Sequence, residues 1–171
     1  MTIHSLPSPA PVPAYGRVRK ILLATDLSAA SEAATTTAMD LAAGLKAELL
    51  AVSVIDPGTL RLPGGHFGSR VDQVRSVRET AAQTLVARGR SAGVDVSFLI
   101  WEGEPAESIV EAALAEGADL IVVGSHGRGM VGRFLIGSVS DQVVRNAAVP
   151  VLVVRGRERL AEGSGAPRSI S

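Results

Sequence analysis

The sequence predicts an α/β protein: one domain built on a five-stranded parallel sheet with helices on both faces. Two observations carry this. Short runs rich in Val, Ile and Leu alternate along the chain with segments whose apolar residues recur every three or four positions. The 171 residues are 46% hydrophobic but only 3% aromatic, so the core must be aliphatic, as suits strands buried on both faces. A domain of about 150 residues buries roughly 70% of its unfolded surface, enough for a single core. The expected limits are a Pro-rich tail at 1–17, the domain at 18–155 and a flexible tail at 156–171.

In chain order, prolines at 7, 9, 11 and 13 favour extended chain, either a plain tail or a docking peptide for a partner. Ile21-Leu22-Leu23-Ala24-Thr25 reads as the first strand and Asp26-Leu27-Ser28 as its turn, with Ser28 as helix N-cap. Ala34, Ala38, Leu41, Ala42 and Leu45 then mark the inner face of a helix that exits near Gly44. Leu49 to Ile55 is the second strand, ended by Asp56-Pro57-Gly58. Leu60 to Ser69 has four Gly or Pro residues and no period, and reads as a mobile lid or a tolerated insertion.

Val71 to Ala92 forms a long amphipathic helix with Val71, Val74, Val77 or Arg78, Ala81, Leu85 and Gly89 inward. Arg75, Arg88 and Arg90 mark more solvated positions. Val94 to Trp101 alternates apolar with polar, the mark of an edge strand. Pro105 falls in the first turn of the next helix, where a missing N–H costs nothing. Ala106, Ile109, Val110, Ala113 and Leu114 face inward there, and Gly117 closes it. Leu120 to Val123 is the fourth strand, Val139 to Asn146 a short helix, and Val151 to Val154 the fifth strand.

Right-handed crossovers between these strands imply a doubly wound, Rossmann-like sheet, and 3-2-1-4-5 is the strand order expected of it. Ligands of such sheets bind beyond the carboxyl ends of the strands, at the topological switch point. If strands one and four are neighbours there, Asp26 and the segment Gly124 to Ser138 converge on one crevice. Formal net charge is zero, which argues against a nucleic-acid or anionic-membrane binder. No cysteine, signal peptide or membrane-spanning run is visible, so a cytoplasmic protein is expected.

Gly124 to Ser140 holds five glycines between a strand and a helix, a setting that lets backbone N–H groups approach a phosphate. Gly127-Arg128-Gly129-Met130-Val131-Gly132 matches the dinucleotide pattern G-x-G-x-x-G. It follows the fourth strand instead of the first, and the next strand ends in Arg155 where an acidic residue belongs. The stretch Gly132 to Ser138 has the outline of a P-loop but lacks the lysine that reaches the outer phosphates. A third pattern remains: Gly124-x2-Gly127-x9-Gly137-Ser138.

That pattern, with Asp26 after the first strand and Val-Pro-Val-Leu-Val-Val at 149–154, resembles the ATP-binding branch of the universal stress protein family. The resemblance spans roughly Arg17 to Arg155. It implies an ATP-binding stress-response or signalling module with at most slow hydrolysis, dimerising through Val151 to Val154. By it, Asp26 and the strand-end backbone around Ala24, Thr25 and Val54 hold the adenine and the ribose edge. Gly124 and Gly127 pass close to ribose and phosphates, while Gly137, Ser138, Val139 and Ser140 cradle the phosphates through N–H and hydroxyl donors. Mg2+ is held mainly by the phosphates, without a protein ligand. Ala24 stands where several relatives have proline, a change that a backbone contact survives. Some members bind cyclic AMP, and others without the glycine motif bind no nucleotide.

Arg128 either neutralises phosphate charge or is a surface charge, and Arg133 is more readily the latter. Asp26, His126 and a serine could be drawn as a triad, but histidines at 4, 66 and 126 show no metal spacing, and no catalytic residue is assigned. An ATP-hydrolysing enzyme, a cyclic-AMP-binding variant and a nucleotide-independent dimeric interaction protein are the alternatives. The fifth strand is an edge to be covered by a second copy or by the C-terminal tail.

Overall fold

A computed structural model describes residues 17–60, 67–125 and 137–156. Five strands, β1 (Lys20–Ala24), β2 (Glu48–Ile55), β3 (Val96–Glu102), β4 (Leu120–Gly124) and β5 (Val151–Val154), form one sheet in the order β3-β2-β1-β4-β5. All neighbours run parallel, with Leu22 opposite Leu50 on one side and Ile121 on the other. Four α-helices connect them: α1 (Glu32–Leu45), α2 (Phe67–Ser91), α3 (Pro105–Ala115) and α4 (Ser138–Asn146). Fold class and strand order are as expected from the sequence.

The alternation of side chains along a strand divides the core in two. Ile21, Leu23, Leu49 and Ala51 face α1 and α2, where Ala34, Ala38, Met39, Ala42 and Leu85 meet them. Leu22, Leu50, Val52, Ile121 and Val123 face α3 and α4, and pack with Ala106, Ile109, Ala112, Ala113 and Val143. The small alanine side chains on α1 and α3 let both helices lie close to the sheet. Each fully buried Leu, Ile or Val stabilises the fold by about 1.5–3 kcal/mol relative to exposure.

Local corrections to the sequence reading concern helix faces and ends. Ser28 does not cap α1: its hydroxyl donates to Asp26 Oδ1 at 2.6 Å, and a 3-10 turn at Ala29–Ser31 moves the N-cap position to Ser31. Leu45 is 40% exposed, while Thr35 and Met39 fill the inner face. Gly44 lies within α1, and the left-handed exit falls on Lys46, at φ 54°. On α2, which starts at Phe67, Val77 is 66% exposed and Arg78 takes the half-buried position; Arg75, also half-buried, pairs with Glu102. On α3, Leu114 is 78% exposed, and Ala112 is buried instead.

β3 starts at Val96, two residues later than the alternation implies, because Val94 is buried in the turn whose N–H bonds Gly89 O at 2.9 Å. Gly93 and Gly117 end α2 and α3 at φ 70° and 64°, a region that glycine enters without steric penalty. β3 is an edge strand, as expected, and β5 is the other edge, with all four residues half-buried. Among the described residues no helix is long and apolar enough to cross a membrane. Both tails beyond 17–156 and most of the glycine-containing stretch after Leu60 lie outside the described residues.

Candidate functional site

The strand order reverses direction between β1 and β4, so the helices after these two strands leave on opposite faces and their carboxyl ends open a crevice. A pocket of about 240 Å³ occupies it. Ala24, Thr25 and Asp26 from the end of β1, Val54 from β2, Gly124 from β4 and Gly137 to Ser140 from the start of α4 all line this pocket. Sequence positions more than 100 residues apart thus meet in one place. Gly127 and Arg128, together with His126 and Arg133, lie outside the described residues.

Asp26 is set by its turn. Its Oδ1 accepts the Ser28 N–H at 3.0 Å and the Ser28 hydroxyl at 2.6 Å. Thr25 is buried beneath it; its Oγ1 donates to Ser31 Oγ at 2.9 Å and accepts the Leu27 N–H at 3.0 Å. Leu27 is held at φ 59°, a conformation uncommon for any residue with a Cβ. The turn is thereby fixed by side-chain hydrogen bonds within it.

The opposite rim is the start of α4. Gly137 occupies the N-cap position, and its N–H donates to Ser125 O at 2.8 Å. The Asp141 N–H bonds back to Gly137 O at 2.9 Å, so helix geometry leaves the N–H groups of Ser138, Val139 and Ser140 without a carbonyl of their own helix. Ser138 is exposed, and its hydroxyl is open to a ligand. Ser140 is different: it is buried, and its hydroxyl donates to Gly124 O at 2.7 Å. That bond latches the helix to β4, leaving the Ser140 N–H as its donor to the pocket.

Between these rims the floor is apolar. Val52, Val123, Pro105 and Ile109 line the pocket along with Ala24 and Val54, and Ser31 closes one side. The sequence reading missed all five of Ser31, Val52, Pro105, Ile109 and Val123. Val52 could have been found from its position two residues before Val54, on the same face of β2. Pro105 and Ile109 come from the helix after β3, and only the handedness of its crossover brings them under the crevice. Among the described residues, no group of three or more His, Asp and Glu is arranged to hold a metal ion.

Known proteins share this architecture. A universal stress protein of Thermus aquaticus is 38% identical over 142 residues, covering 80% of this chain and 98% of its own. The solved structure of a universal stress protein from Lactobacillus plantarum superposes with a TM-score of 0.75 at 27% identity, over 82% of this chain and 99% of that one. A universal stress protein solved in complex with cAMP superposes with a TM-score of 0.60 at 25% identity, over 82% of this chain and 98% of that one. The model of the universal stress protein family matches residues 17–155, the whole span of the sheet and its helices, and the chain belongs to that family.

Proposed function

We propose that the crevice binds an adenine nucleotide, ATP with its Mg2+, and that the protein is a cytoplasmic, nucleotide-dependent stress-response module with at most slow hydrolysis. The observation that carries this is the opposition of two unlike ends in one pocket. Val52, Val54, Val123 and Ile109 offer a slot for a flat base. The first turn of α4 offers three backbone N–H groups and the positive end of a helix dipole to phosphate. Asp26 lies on the β1 rim, where a ribose hydroxyl can donate to its carboxylate. Mg2+ rides on the phosphates and keeps part of its hydration shell. The complex of a family member with cAMP supports an adenine ligand at this fold. The half-buried edge strand β5 supports pairing with a second copy.

Ser138→Asp tests the site. An acidic residue in the first turn of a helix favours the dipole, so the variant should fold at least as stably as the wild type. The same carboxylate stands where phosphate is to bind and should weaken Mg-ATP binding, measured by titration calorimetry, at least tenfold (about 1.4 kcal/mol). Equal affinity in both proteins would sink the assignment of α4 as the phosphate end.

A further inference from the structure

Arg78 is a cation that neither core cluster includes. Its neighbours Val77 and Glu79 are exposed, yet Arg78 is half-buried and its Nη1 donates to Val54 O at 2.5 Å. The aim of that carbonyl follows from the sheet. Val52 O accepts the Thr25 N–H at 3.0 Å, so the carbonyls of residues 52 and 54 point toward β1. Ile55 O, one residue on, accepts the Gly103 N–H at 3.1 Å and points toward β3. Since β1 ends at Ala24, Val54 O looks past that end over the crevice whose wall Val54 forms. Arg75, on the same helical face as Arg78, pairs with Glu102 at the end of β3, so α2 is fastened over the strand ends at two points.

We propose that Arg78 is a specificity-determining residue of the slot, which by engaging Val54 O lowers the preference for a base amino group over a base carbonyl. This rests on the nucleotide reading above. A bare strand-end carbonyl accepts from an exocyclic amino group and repels an exocyclic oxygen. A guanidinium bonded to that oxygen draws on its lone pairs and sets a positive charge beside the amino hydrogens, while it attracts an oxo group. Bonds from an ionised donor are stronger than neutral ones, and partial burial reduces their screening.

ATP and ITP test this, because they differ only along the C6–N1 edge of the base. Their affinities are to be measured with Mg2+ on the full chain, for wild type, Arg78→Met and Arg78→Gln. Arg78→Met keeps an unbranched stem and removes the charge, and should raise the preference for ATP over ITP by about tenfold relative to wild type. Arg78→Gln keeps a neutral donor and should move the ratio the same way by a smaller factor, which carries the test if the Met variant does not fold. An unchanged ratio overturns the proposal, including the case where both affinities fall together as a purely structural role requires; the nucleotide reading then survives. Absence of binding of either nucleotide by the wild type overturns the nucleotide reading and this inference with it.

Discussion

At the scale of single residues, the site depends on short polar side chains that hold the backbone in place. Thr25 is the clearest case. Its hydroxyl links the Leu27 N–H to Ser31 Oγ, and Ser31 passes its own hydrogen to Ser28 O at 2.9 Å. This relay keeps Leu27 in the left-handed region and carries Asp26 onto the rim of the pocket. Thr25→Val preserves shape and removes both bonds, leaving a backbone N–H and a hydroxyl short of partners. The expected loss is about 1–3 kcal/mol in urea denaturation, with Thr25→Ser recovering most of it. Unchanged stability in Thr25→Val would show that the two hydroxyl bonds contribute nothing net. The position of Asp26 in the crevice was legible in the sequence because it directly follows the first aliphatic run, at a strand's carboxyl end. The role of Ser28 was not, because a serine after such a turn serves equally as a helix cap or as the donor to an aspartate, and only the 3-10 turn that follows decides between them.

At the scale of elements, strands were the most legible part of the chain, and helix faces the least. Strands buried on both sides are continuous aliphatic runs, and β1, β2 and β4 fall within a residue of where those runs lie. In α1 and α3 alanines stand on both faces, Ala42 and Ala112 buried but Ala43 and Ala115 exposed, so hydrophobicity barely distinguishes the faces. The larger Leu45 and Leu114 drew the inward assignment, although their angular positions face solvent. Glycine misled in a similar way at the end of α1, where Gly44 is inside the helix and Lys46 adopts φ 54° with its N–H turned back to Ala42 O and Ala43 O. Lys46 is exposed, so its replacement by glycine should forfeit no packing and relieve the left-handed strain. Lys46→Gly is expected to stabilise the protein by about 1 kcal/mol, which thermal unfolding would read as a rise of roughly 2–4 °C. A lowered midpoint would mean that the lysine side chain contributes more than its conformation costs. The pocket itself was half-legible for the same physical reason: its polar rims are local motifs, whereas its floor is assembled from strand faces and from α3 by the hand of the crossovers.

At the scale of the whole molecule, the pairing of β1 with β4 makes the site, since it joins the two halves of the sheet and opens the crevice at their carboxyl ends. The opposite end of the same pair is tied by Asp119, whose Oδ2 accepts the backbone N–H groups of Arg19 at 2.8 Å and Lys20 at 3.0 Å. The Lys20 carbonyl accepts the Asp119 N–H at 2.8 Å in return. The Arg19 bond, followed by the Lys20 bond, holds the Asp119 carboxyl below the usual carboxylate range. A carboxylate with a lowered folded pKa adds stability above its unfolded pKa, and loses that contribution as pH falls through the folded value. Asp119→Ala should therefore be less stable than the wild type at neutral pH, by roughly 1 kcal/mol for a partly exposed pair of bonds. The gap should narrow as pH falls through and below the ordinary carboxylate range, where both the folded and unfolded wild type become protonated. Denaturation of both proteins at neutral pH and in acid measures it, and a gap independent of pH would show that the tie acts through shape alone. Because this tie lies at the far end of the strands from the pocket, the proposed binding of Mg-ATP there predicts equal affinity in Asp119→Ala and the wild type wherever the variant remains folded, so that stability and binding separate along the same two strands.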